Sequence, residues 1–132
     1  MKKLLATLIV SAGLASMPAS AHHGTNTEYD AEHPLIFHGA VTEFEFVNPH
    51  IQIYFDVKDD KGKVAHWAVE GPSPGRLIRM GWSRNEIKAG DRITVTVEPA
   101  RSGATVGAIR KVVLPSGKEL GVLPLVPQPG NQ

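Results

Sequence analysis

The chain has 132 residues, enough for one domain with a modest core. Its 14 Lys and Arg nearly balance 13 Asp and Glu, for a formal net charge of +1, so nothing in the balance points to nucleic acid, whose phosphates need clustered Lys and Arg. The absence of cysteine excludes disulfides, thiolate metal ligands, a thiol redox centre and a lipid-anchored cysteine.

Lys2 and Lys3 precede an apolar run from Leu4 to Leu14, and Ala19-Ser20-Ala21 sets small residues where a signal peptidase reads. This is the pattern of a secretory signal peptide, too short for a membrane span and followed by no stop-transfer segment. Cleavage after Ala21 leaves 111 of the 132 residues, beginning His22-His23, with no second run long enough to span a bilayer. Lys2 and Lys3 depart with the leader, so the mature chain carries 12 basic against 13 acidic residues, a net −1. A periplasmic protein is the expectation. The division expected is a signal peptide over 1–21, an extended arm over 22–34, a folded domain over 35–123 and a loose tail over 124–132.

The arm is polar and without periodicity. Leu35 to Val47 is rich in Phe and Val and predicts a long first strand, bulged or sharply bent at Gly39 and ended by Asn48-Pro49. Ile51, Ile53, Phe55 and Val57 alternate with polar residues, the pattern of a half-buried second strand. Asp59-Asp60-Lys61-Gly62 turns the chain into a third, Val64 to Val69, with Trp67 as a core anchor. Ser73-Pro74 is a cap followed by a first-turn proline, and Leu77, Ile78 and Met80 fit a short helix ending near Gly81. Trp82, after it, is suited to plug the base of the fold, or else to anchor a binding partner. Lys88-Ala89-Gly90-Asp91 leads into a fourth strand on Ile93, Val95 and Val97, and Thr105 to Leu114 reads as a fifth, followed by a turn at Pro115-Ser116-Gly117.

Three strands, a helix and two strands is the order of the OB-fold. The expected fold is therefore all-β, a small five-stranded OB-like Greek-key barrel with one short helix between strands three and four. A meander with a helical insertion is the competing topology.

Chemistry-bearing residues are few. A terminal histidine can hold Cu(II) through its amine and ring Nδ1, and imidazole suits copper. His22 and His23 are thus candidate metal ligands, or else part of a solvated tail. His50, in Asn48-Pro49-His50 between strands one and two, is a candidate third nitrogen, or a turn residue packed on Pro49. His38 is a further candidate, read otherwise as a semi-buried, hydrogen-bonded side chain. His66 is expected opposite Trp67, and His33 has no visible partner. Glu43 and Glu45 share a strand face about 7 Å apart, a spacing set by the two-residue strand repeat, and read as a solvated face. Glu70-Gly71-Pro72-Ser73-Pro74 is the other unusual stretch. No nucleophile with a base at readable spacing and no phosphate loop is present.

The His-His-Gly start after an Ala-x-Ala site, Asn48-Pro49-His50, the Trp67 to Trp82 segment and Gly90-Asp91 before a strand together resemble an uncharacterised domain-of-unknown-function family of small exported bacterial proteins. The resemblance covers nearly the whole mature chain. Members often read His-His-Ser where this chain has Gly24, a departure that touches no candidate ligand. The resemblance implies export and fold, and it carries no established activity.

The leading expectation is an exported periplasmic binding module, more a binder than an enzyme. It would hold a copper-type metal ion through His22 and His50, with His23 and His38 as second choices. The alternative is an OB domain that binds a small ligand or a periplasmic protein without metal. A third reading is a copper-dependent oxidative enzyme with a terminal-histidine brace.

Overall fold

The computed structural model describes residues 28–123, so the expected signal peptide, His22, His23 and the tail over 124–132 lie outside the described residues. Six strands and one short helix follow in order: β1 (Leu35–Glu45), β2 (Gln52–Lys58), β3 (Val64–Glu70), α1 (Pro74–Arg79), β4 (Arg92–Pro99), β5 (Val106–Val113) and β6 (Glu119–Gly121). β1 bonds antiparallel to β4 through Leu35–Ala40 and to β2 through Ala40–Glu45, with Ala40 paired to both Arg92 and Asp56. β2 pairs with β3, and β4 with β5, both antiparallel. A parallel pairing of β3 with β5, Ala68 opposite Val106 to Glu70 opposite Ala108, closes the ring. The result is the expected closed five-stranded barrel of OB type with its helix between the third and fourth strands.

The alternating positions fill the barrel. Ile51, Ile53 and Phe55 from the second-strand segment and Ile93, Val95 and Val97 from β4 are 0–3% exposed, joined by Val69, Ile109 and Val112. Leu77 projects from α1 into this core and is fully buried, and Trp82 is 2% exposed with its indole N–H donating to the Gly121 carbonyl at 2.9 Å. Burial of the large indole with its polar atom satisfied makes Trp82 the plug that its position suggested.

Several expectations are corrected. Trp67 is half-buried rather than central: it packs on the rim of the core against Phe37, ring centroids 4.4 Å apart. Its strand parity is inward, but it lies just outside the stretch of β3, Ala68–Glu70, that pairs with β5 and closes the ring. Ile78 faces solvent at 59% exposure, because a helix of only six residues turns a single narrow face to the core. Ser73 stands at the N-cap without a side-chain cap bond; its carbonyl receives the Arg76 and Leu77 amides instead. The first strand stops at Glu45, and β6, unexpected from sequence, pairs with β5 after the turn at Pro115–Gly117.

The register break in β1 falls between Val41 and Glu43 rather than at Gly39. Gly39 serves closeness instead: a Cβ there would lie 2.7 Å from Phe55 Cδ2 and 2.8 Å from the Asp56 carbonyl oxygen. The strand can therefore press against β2 where it leaves β4, which is where a barrel strand must curl most tightly.

Candidate ligand-binding site

The β2–β3 ladder continues past the ends of both strands. The Gly71 amide donates to the Ile51 carbonyl at 3.0 Å, and the Ile51 amide to the Pro72 carbonyl at 3.3 Å. This sets His50, at the end of the β1–β2 loop and next to the cis Asn48–Pro49 peptide, beside Gly71. Its Nδ1 lies 3.1 Å from the Gly71 carbonyl oxygen. A carbonyl only accepts, so Nδ1 of the neutral ring carries the proton and Nε2 keeps its lone pair. The residue itself is exposed.

The arm meets the same end of the barrel. Tyr29 bridges to Ala100 and is 7% exposed, while the Asp30 amide donates to Pro99 and the Arg101 amide to Glu28. The Tyr29 hydroxyl donates to Glu70 Oε1 at 3.1 Å. Burial, then the Glu70 carboxylate, pushes the phenol well above its ordinary pKa, so it acts as a hydrogen-bond donor and not as a base.

Arg110 reaches the site through a register shift: Thr96 pairs with Lys111 and Val97 with Ile109, leaving Arg110 as the extra residue of a bulge in β5. Bulges re-aim side chains in this way. Its guanidinium donates through Nε and Nη2 to Glu98 Oε1 at 3.1 and 2.8 Å, and through Nη2 to the Ala31 carbonyl at 2.9 Å, tying arm to barrel.

These groups surround a cavity of about 280 Å³. Tyr29, His50, Glu70, Arg76, Glu98 and Arg110 supply its polar wall, over a floor that includes Ile109 and Val122. Two guanidiniums, two carboxylates, an imidazole and a phenol on an apolar base can grip and orient a small polar molecule.

Among the described histidines, His50 alone lines this cavity, joined by Glu70, Gly71 and Pro72 of the second stretch singled out from sequence. His38 is exposed on β1, not semi-buried, with Nδ1 2.9 Å from Thr94 Oγ1 on the neighbouring β4. His33 does have a partner: its Nδ1 lies 3.0 Å from Asp30 Oδ2. His66 is exposed and pairs with Asp56 across β2 and β3. Glu43 and Glu45 flank Tyr54, whose phenol is pushed up by burial and then by those carboxylates. Among the described residues no three His, Asp or Glu side chains converge as a metal-holding group.

Sequence reading missed Tyr29, Arg76, Glu98 and Arg110. A lone aromatic in a polar arm was a usable signal for Tyr29. Arg110 sat inside an apolar strand, where a charged residue at a strand position hints at a bulge. Glu70 belongs to the stretch that did stand out.

Among the described residues no helix is long and apolar enough to cross a membrane. No curated protein and no solved structure matches the chain. Residues 9–110 match a family of unknown function (DUF6152), and the chain belongs to that family.

Proposed function

We propose that the chain is an exported periplasmic binding module that holds a copper-type ion between its processed N-terminus, His22, and His50. One relationship carries the reading: Tyr29 and His50 line the same cavity. Tyr29 is pinned to the barrel, so the terminus of the mature chain is tethered there. An extended chain covers at most about 3.6 Å per residue, so the seven steps back to His22 reach no farther than about 25 Å. A short tether of this kind raises the effective concentration of the terminal amine and imidazole near His50. The His50 ring supports the role, since a ligating histidine usually donates its other ring N–H to a carbonyl, as Nδ1 does to Gly71. The His22 amine and Nδ1 would close a chelate and His50 Nε2 would add a third nitrogen; His23 and His38 are the reserve ligands.

The test is calorimetric Cu(II) titration of protein beginning at His22, beside a form with one extra residue ahead of it. The extra residue separates the free amine from the His22 ring, and affinity should fall at least tenfold, about 1.4 kcal/mol. Equal affinities reject the terminal chelate. The alternative, a metal-free module for a small ligand, is favoured by the cavity's mixed charged and apolar lining.

A further inference from the structure

The charges on the cavity wall do not cancel in the way their number suggests. Arg110 and Glu98 neutralise one another through two hydrogen bonds. The guanidinium of Arg76, an exposed residue of α1, forms no ion pair or hydrogen bond among the described residues. Glu70 accepts the Tyr29 hydroxyl on one oxygen and pairs with no cation among the described residues. One cavity thus presents a guanidinium and a carboxylate that each lack a counter-ion among the described residues, both on its wall and not joined to each other.

From this geometry we infer that the cavity binds a small zwitterion, an α-amino acid with an apolar side chain, its carboxylate on Arg76 and its ammonium on Glu70. Guanidinium is suited to a carboxylate because its planar fork donates two parallel hydrogen bonds. The free oxygen of Glu70 can accept from an ammonium while Tyr29 holds the other. The protonated phenol keeps that carboxylate oriented, and His50 closes one side. A simple anion would face Glu70 uncompensated, a simple cation would face Arg76, and a neutral sugar would leave both charges without partners. Size narrows the class further. At about 280 Å³ the space falls just below the range for small-molecule sites, which begins at about 300 Å³, so it suits a single small molecule rather than a polymer segment. Ile109 and Val122 offer an apolar surface for the side chain.

The inference does not depend on metal, and its test separates the two. Metal-stripped protein, dialysed free of chelator, is screened by thermal shift against the twenty common amino acids, and L-leucine is then titrated by calorimetry beside isocaproate and isoamylamine. Leucine should bind saturably. Each analogue lacks one charged group and should bind about tenfold to a hundredfold more weakly, the range for a lost charge-assisted hydrogen bond. Arg76→Gln should weaken leucine and isocaproate and leave isoamylamine unchanged; Glu70→Gln, which keeps an acceptor for Tyr29, should do the reverse. Arg76 is exposed, so its variant should melt with the parent. Isocaproate binding as tightly as leucine would make this an anion site, isoamylamine doing so a cation site, and either overturns the inference. So does the absence of a shift with every amino acid at millimolar concentration. Copper affinity is measured separately, so failure here leaves the metal reading standing, and the converse.

Discussion

The hydroxyl of Tyr29, on the arm, donates to the carboxylate of Glu70, at the end of β3, across 41 positions of sequence. Through this bond, the bridge to Ala100 and the Arg110 contact with the Ala31 carbonyl, the segment just before the barrel becomes one wall of the cavity. The arm is therefore structural as well as connective, and it determines where the residues ahead of it begin.

Tyr29→Phe keeps the ring and removes the hydrogen bond. Stability should drop by about 1.5–3 kcal/mol, the usual net worth of a hydrogen bond to a charged group, read as a lowered urea midpoint with an unchanged slope. Tyr29→Ala also empties the buried ring position and should cost more. If the arm positions the terminus, Tyr29→Ala should weaken copper binding as well. Unchanged copper affinity in a folded Tyr29→Ala protein would uncouple the arm from the metal site.

Phe55 and Trp67 lie directly opposite one another on β2 and β3, yet they should respond differently to truncation. Phe55 is 1% exposed at the centre of the barrel, and Phe55→Ala should cost about 3–5 kcal/mol. Trp67 is half-buried at the rim, so Trp67→Ala leaves a notch open to solvent and not a closed void. It should cost clearly less than the Phe55 change. Chemical denaturation of the two variants checks the ranking, and a reversal would place the true centre of the core at the Phe37–Trp67 contact.

The barrel was legible because its strands alternate with period two and its turns carry glycine, proline and aspartate. Ile51, Ile53 and Phe55, and Ile93, Val95 and Val97, stand inside as that period requires. What period two does not encode is where the barrel closes. Trp67 shares the inward parity of Val69 but lies outside the Ala68–Glu70 stretch that pairs with β5, and it stays half-buried. The site was legible only at His50 and in the stretch starting at Glu70, because the rest is made by tertiary events. A register shift in β5 brings Arg110 to Glu98, and long-range docking of the arm brings Tyr29 to Glu70. Neither leaves a local pattern in the chain. β6 escaped notice because a three-residue strand is too short to show alternation.

Glu86 ties the loop before β4 to the β5–β6 turn, accepting from the Lys118 ammonium and from the Ser83 hydroxyl. The Lys118 contact holds the Glu86 carboxyl below the ordinary glutamate range. A carboxyl depressed in the folded state contributes stability above its unfolded pKa, and this contribution is lost as pH falls through the folded value. Lys118→Met should therefore be less stable than the parent at neutral pH. The gap should close in acid as pH drops from the ordinary glutamate range through the lowered one. Melting temperatures across that interval test it, and a gap that widens in acid would give the sign the wrong way round.

His50→Ala distinguishes a metal ligand from a turn residue, because the two roles fail in different measurements. The side chain is exposed and, among the described residues, makes one hydrogen bond, to the Gly71 carbonyl. Gly71 remains bonded through its amide to Ile51, so the loop stays anchored when the ring is removed. Loss of metal-free stability should be about 1 kcal/mol or less, typical of a point change outside the core. If His50 Nε2 is the third nitrogen, copper affinity should fall at least tenfold in the same variant. His50→Gln sharpens the comparison: its amide N–H can still donate to Gly71, but it offers no imidazole nitrogen to the ion. The expected outcome is near-parental stability with weakened copper binding in His50→Gln. Copper affinity equal to the parent in both variants would remove His50 from the site, leaving His23, His33 or His38 to complete it or no site at all.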